Sequence, residues 1–277
     1  MTQAKFQRTG PHPQRHPRAI QVLQLTDPHL MAAADATLLG VNTRDSLDAV
    51  IAAVKAEPVQ PDLILVTGDL TQDASPAAYQ ALADKLAEFD CPSHWIPGNH
   101  DNADVLKAVA GPLASHKHLL REDWQIVLLD SSQRGNVAGW LADEELAFLD
   151  HTLQQHAEQP ALIALHHHPV DIASGWMDGI GLHNREAFWA VIDRHPQVRA
   201  VVWGHIHQTL DQYRGKVRLL ATPSTCIQFE AGSDTFSVEE RAPGYRWLTL
   251  LPSGELITEV KRASDFQVRI DRHSTGY

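Results

Sequence analysis

Short apolar runs alternate with helix-period segments along nearly the whole chain, and this alternation restricts it to an α/β architecture. Ile20–Leu25 is a first strand. Residues 44–56 follow, with Leu47, Val50, Ile51 and Val54 at helical spacing. Leu63–Thr67 reads as a buried strand. Ser75 caps a helix whose first turn holds Pro76 and whose buried face is Tyr79, Leu82, Leu86 and Phe89. Cys91–Ile96 is a third strand. Gln125–Asp130, a helix over 143–156, and Ala161–Leu165 follow. Asn184 reads as the cap of a helix running to about His195. Val198–Trp203 and Val217–Ala221 are strands, and Tyr245–Leu250 with Glu255–Val260 forms a hairpin. No linker divides the chain after residue 18, so residues 19–277 are expected to form one catalytic domain behind a flexible tail of residues 1–18.

Five of these strands run out into residues that bind metals. The first leads to Asp27-Pro28-His29, the second to Gly68-Asp69, the third to Gly98-Asn99-His100-Asp101. A later one leads to His166-His167-His168, and the next to Gly204-His205-Ile206-His207. In open α/β sheets, ligands bind beyond the carboxyl ends of strands. Asp27 and His29 are two residues apart, as are His205 and His207; if the backbone there is extended, each pair faces one side. Gly68, Gly98 and Gly204 precede ligand positions and suit tight turns or close backbone approach.

Two aspartates, an asparagine and four histidines make an all-nitrogen-and-oxygen donor set. It suits Mn²⁺, Fe, Zn²⁺ or Co²⁺. Seven donors exceed what one such ion takes and suit two ions sharing a carboxylate, which can clamp an in-line displacement at phosphorus. Charge agrees with this. The net charge is −11, and the first 18 residues hold Lys5, Arg8, Arg15 and Arg18 with no acid, leaving −15 for the rest. That body has no basic stripe, which argues against a nucleic-acid surface. Two divalent ions less two aspartates and a hydroxide leave the site at roughly +1, enough to attract a phosphodiester anion.

Only Cys91 and Cys226 are present, which excludes a disulfide framework and reads as two reduced thiols. The N-terminal segment has no apolar run of the secretory type, and no stretch approaches the ~20 apolar residues of a membrane span. A cytoplasmic enzyme with no membrane partner is expected.

These blocks resemble those of the calcineurin-like metallophosphoesterases. The flanking blocks Leu25–Leu30 (LTDPHL), Leu39–Thr43 (LGVNT), Thr67–Asp73 (TGDLTQD), Leu165–Pro169 (LHHHP), Gly204–Gln208 (GHIHQ) and Ala221–Gln228 (ATPSTCIQ) resemble the bacterial class III 3′,5′-cyclic AMP phosphodiesterases. The resemblance implies two mixed β-sheets in a sandwich flanked by α-helices. It implies one metal on Asp27, His29, Asp69 and His207, and a second on Asp69, Asn99, His166 and His205, with Asp69 as the bridge and Fe²⁺ or Mn²⁺ as the leading ions. Of the three adjacent histidines, His166 directly follows the strand and aligns with the family's ligand. The implied reaction is hydrolysis of cyclic AMP to 5′-AMP, with a bridging hydroxide as nucleophile. His29, Asp69, Asn99, His100, His166 and His207 would meet the substrate. Asn99 and His100 are the catalytic candidates; His100 either protonates the leaving oxygen or is a structural residue held by Asp101. The same centre would also serve glycerophosphodiesters or 2′,3′-cyclic nucleotides, and a scaffold of this fold would lack the chemistry. For the base, Trp176 is either a stacking ring or a loop anchor, and residues 222–240 form another candidate rim.

Overall fold

The buried, β-branched runs pair into two sheets. The computed structural model describes residues 18–273, so the expected tail falls outside the described residues except for Arg18. The first sheet takes β1 (Ile20–Leu25), β2 (Leu63–Thr67) and β3 (Ser93–Ile96). The second takes β4 (His118–Arg121), β5 (Trp124–Leu128), β6 (Ala161–Ala164), β7 (Val198–Trp203), β8 (Leu210–Arg214) and β9 (Val217–Ala221). The C-terminal hairpin, β10 (Gly244–Leu250) and β11 (Leu256–Arg262), joins the first sheet. Their orders are β11-β10-β1-β2-β3 and β8-β9-β7-β6-β5-β4. In the first, β1, β2 and β3 are parallel and the hairpin is antiparallel. In the second, β5, β6, β7 and β9 are parallel and both edge strands are antiparallel. Both sheets are therefore mixed, as expected.

Alternation along each strand decides the layers. Ile20 and Val22 of β1 meet Leu162, Ala164, Ala200 and Val202 in a core between the sheets. Leu23 and Leu25 face the other way and pack with the buried sides of α1 (Thr43–Lys55), α2 (Pro76–Leu86) and α3 (Ala103–Ala110). Val201 and Trp203 of β7 face α4 (Asp143–Gln155) and α5 (Arg185–Ile192). The result is helices, sheet, sheet, helices. The caps behave as their chemistry requires: Ser75 Oγ accepts from Ala78 N–H, and Asn42 and Asn102 cap α1 and α3.

Some expectations need correcting. Asn184 occupies the position before α5 but makes no capping bond; its amide instead brackets Leu141, accepting from its N–H and donating to its carbonyl. The third strand starts at Ser93 rather than Cys91, and α5 stops at Ile192. In the two large sheets, the strands without a sequence signal are β4 and β8, both at the edges of the second sheet, where β8 (LDQYR) is mostly exposed. Cys91 and Cys226 are both free.

One residue inverts the apolar rule. Gln24 points between the sheets and is fully buried. Its Nε2 donates to Thr67 Oγ1 and Trp203 O, and its Oε1 accepts from Thr222 Oγ1. Arg246, also buried, donates to Thr222 Oγ1 and the carbonyls of Leu210 and Ala221. This satisfied network crosses from one sheet to the other just below the carboxyl ends of β1, β2, β7 and β9, and fixes their relative position.

Candidate metal centre

The carboxyl ends of β1, β2, β3, β6 and β7 converge at one end of the sandwich, and there the structure gathers all seven candidate ligands. The backbone that delivers them is not extended. Asp27, His29, Asp69, His205 and His207 have φ of 51, 46, 48, 64 and 48°. Non-glycine residues seldom enter this left-handed region, and each costs about 1–3 kcal/mol. The expectation that each i, i+2 pair faces one side through extended backbone is thus corrected: both members of each pair coil left-handed. Cross-strand bonds clamp the first pair, with Asp27 N–H donating to Gly68 O and His29 N–H to Asp69 O, both at 3.0 Å.

The glycines are dictated by approach. A Cβ on Gly68 would lie 2.2 Å from His166 Nδ1, one on Gly98 2.2 Å from Asp69 Oδ1, and one on Gly204 2.0 Å from Thr26 Oγ1. Gly68 also has φ +93°.

The side chains then fall into place. His166 Nε2 is 3.2 Å from Asn99 Oδ1 and 3.3 Å from Asp69 Oδ2. His207 Nε2 is 3.4 Å from Asp27 Oδ1 and 3.2 Å from His29 Nε2. His29 Nε2 is 3.8 Å from Asp69 Oδ2. Asp69 Oδ1 accepts from His100 N–H at 2.9 Å, while among the described residues the buried Oδ2 has no neighbouring donor except the His166 ring at 3.3 Å. Asp27 accepts from His205 N–H and from Thr26 Oγ1. Asp27, His29 and His207 offer three ligand atoms within 4.8 Å of one another, and so do Asp27, Asp69 and His166.

Each imidazole is turned by an outer acceptor. Nδ1–H of His29 donates to Gln72 Oε1 at 2.7 Å, that of His207 to Ile227 O at 2.9 Å, and that of His166 to Thr67 O at 2.8 Å. His205 is reversed: its Nε2–H donates to Ile180 O at 3.1 Å, and its buried Nδ1 has no partner. With the Nδ1 protons of His29 and His207 directed outward, their Nε2 lone pairs point inward and face each other. Opposed lone pairs beside a buried carboxylate oxygen are what a cation requires, so the donor set fits divalent metal ions.

Electrostatics follow from burial. Burial pushes the pKa of His29 down to about 3 against the pull of Asp69, so this ring is neutral. Burial likewise holds His205 well below its usual range. Burial opposes ionisation of Asp69, but His166 and His100 outweigh it and hold the carboxyl well below normal. At His166, burial is outweighed by Asp69 and Asp27, and its pKa rises to about 9.

The three consecutive histidines take different positions. His166 meets Asp69 and Asn99. His167 has both ring nitrogens occupied, by Ser131 Oγ and Val137 O. His168 is buried and stacks on the His205 ring. His100 is half-buried, edge-on to His29 at 5.0 Å. Asp101 accepts from Gly98, Leu70 and Thr71 N–H and from the Thr71 and Tyr79 hydroxyls, tying the second and third blocks together.

Gln72 was not singled out in the sequence, although it lies in the quoted TGDLTQD block; its partner His29 is 43 residues away. Gln72→Leu should weaken metal binding about 10- to 100-fold, read by chelator competition, with an unchanged far-ultraviolet circular dichroism spectrum.

A two-sheet sandwich with this cluster at its carboxyl end defines a metallophosphoesterase. The chain matches the calcineurin-like phosphoesterase family over residues 20–209 and belongs to it. It is 42% identical over 260 residues to the 3′,5′-cyclic adenosine monophosphate phosphodiesterase CpdA of Pseudomonas aeruginosa, spanning 94% of this chain and 96% of that protein. It is 41% identical over 261 residues to the protein of the same name from Escherichia coli K12, spanning 93% and 95%. Among solved structures, a dimetal phosphatase from Danio rerio aligns with TM-score 0.63 at 14% identity, over 87% of this chain and 98% of that one, which shows the shared fold. Among the described residues, no helix is long and apolar enough to cross a membrane.

Proposed function

We propose that this chain hydrolyses 3′,5′-cyclic AMP to 5′-AMP at a centre of two divalent ions, Fe²⁺ or Mn²⁺. One ion is assigned to Asp27, His29, Asp69 and His207, the other to Asp69, Asn99, His166 and His205. The observation that carries the metal reading is Asp69 Oδ2, fully buried with the ring nitrogens of His29 and His166 at 3.8 and 3.3 Å and no other donor among the described residues. The cyclic-AMP reading is supported by the roughly end-to-end identity to relatives bearing that activity in their names.

When bound, the ions supply positive charge to the phosphoryl oxygens and bring the pKa of water into the neutral range. The protein's part is positioning. Buried carboxylates and imidazoles turned by outer acceptors make a dry, oriented donor shell. Asn99 would donate an amide N–H to a phosphoryl oxygen. Water adds to phosphorus as the P–O3′ bond breaks; the 3′ oxygen takes a proton from His100, the half-buried ring at the mouth of the cluster, and the proton given up by the attacking water restores His100.

His100→Ala should lower kcat by about 10²- to 10⁴-fold while metal analysis still finds two ions per chain. Loss of the ions in that variant would assign His100 a structural role instead. The wider test is steady-state hydrolysis of cyclic AMP, cyclic GMP, 2′,3′-cyclic AMP and a glycerophosphodiester with defined Mn²⁺ or Fe²⁺. A kcat/KM highest for cyclic AMP by about tenfold or more sustains the reading. Equal rates would make the enzyme a broad phosphodiesterase. Bound metal with no turnover of any diester would make it a scaffold.

A further inference from the structure

Beside the candidate metal centre stands an aromatic wall that the hydrolytic chemistry does not use. Phe229 stacks on the His207 ring, 4.1 Å between centroids and 8° from parallel. Trp176 meets Phe229 edge-on at 5.1 Å and Phe236 at 5.4 Å, and Phe229 meets Phe236 at 5.7 Å. The inner rings are packed away: Phe229 is 1% exposed and Trp176 half-buried. The outer one, Phe236, is 44% exposed.

The wall is built from two segments that also orient metal-centre histidines. Residues 172–182 carry Trp176 and the Ile180 carbonyl that holds His205. The segment from Ser224 to Glu239 carries Phe229, Phe236 and the Ile227 carbonyl that holds His207. Phe229 and Val238 are register partners, so Phe236 sits in the connection of a short hairpin. Ser174 Oγ donates to Ser233 O at 2.7 Å and latches one segment to the other. Phe236 is thus a supported ring held two ring contacts from a candidate ligand, not a scattered surface hydrophobe.

We propose that Phe236, backed by Trp176 and Phe229, is the platform on which the substrate's nucleobase stacks. This rests on the phosphodiesterase reading above. A cyclic nucleotide carries its base one sugar away from phosphorus, and a flat aromatic face beside the phosphate site is what a purine seeks. Stacking is tolerant of base identity, so the wall selects nucleotides over simple diesters more than adenine over guanine. Trp176 is accordingly a support for the platform rather than the platform itself.

The test is calorimetric titration of the manganese-loaded protein with 5′-AMP and with ribose 5-phosphate, which differ only in the base. The wild type should bind 5′-AMP about tenfold or more tightly than ribose 5-phosphate. In Phe236→Ala that gap should close to about threefold or less, and Phe236→Tyr should restore it. An unchanged gap in Phe236→Ala overturns the proposal. So does an equal loss of both ligands, which would mean that the ring merely supports His207. Hydrolysis assays separate this from the parent reading. If cyclic AMP is not hydrolysed but the gap closes in Phe236→Ala, the platform stands and the reaction assignment falls. If cyclic AMP is hydrolysed and the gap does not close, the reverse holds.

Discussion

Asp69→Asn is expected to lower kcat/KM for cyclic AMP by at least about 10³-fold, the loss that ~4 kcal/mol of transition-state stabilisation produces. The substitution keeps the shape of the side chain and removes its charge. Oδ1 accepts from His100 N–H, so an amide there retains that bond only if its nitrogen takes the Oδ2 position. That places N–H donors 3.3 Å from His166 Nε2 and 3.8 Å from His29 Nε2, where two cations are assigned. The other orientation sets two N–H groups against each other at His100. Neither leaves a shared anion. Metal analysis should find the stoichiometry reduced from two. An Asn variant that keeps two ions and activity within about tenfold of the wild type would show that Asp69 is not the bridge.

Removing both metal ions is expected to lower the melting temperature by roughly 15–30 °C. Ions that bind only the folded chain stabilise it by RT ln(1 + [L]/Kd), about 4 kcal/mol for each site at a thousandfold excess over Kd. For a chain near this size each kcal/mol moves the midpoint by about 2–4 °C. The structure gives a reason for so strong a dependence. Asp27, Asp69, His29, His166 and His207 are fully shielded from solvent. Five of the seven candidate ligands sit in left-handed backbone. Without cations, the chain must hold buried carboxylates and opposed imidazole lone pairs together unaided. Scanning calorimetry with and without chelator, and again after adding back Mn²⁺, measures the difference. A chelated protein that melts within about 2 °C of the loaded one would rule out a tightly held pair of ions.

Much of the architecture was legible because burial leaves a local mark. The six- and five-residue runs at Ile20, Leu63, Val198 and Val217 are central or doubly covered strands, and their limits coincide with the expected ones. Edge strands leave less of a mark. β8 lies at the rim with its three central residues, Asp211, Gln212 and Tyr213, exposed, so it carries no apolar period to read. Helix α3 is eight residues long, with only Leu106 and Ala110 buried.

The site divides along the same line. The identity and order of the candidate donors, their position after strand ends, and the need for Gly68, Gly98 and Gly204 were all present in the residues, because local chemistry and chain direction determine them. The inner geometry was not. Asp and His enter the left-handed region more readily than most residues, but at Asp27 and His29 it is bonds to the neighbouring strand that hold them there. The proton positions on the imidazoles depend on Gln72, Thr67, Ile180 and Ile227, lying between 20 and 99 residues from the rings they turn. That His166 rather than His167 faces Asp69 depends on Ser131 and Val137 occupying both nitrogens of the latter. The alternating pattern determined by itself which residue types arrive at the end of the sandwich. Only the packing of one sheet on the other decided how they face each other, since that geometry is set by contacts between segments far apart in the chain.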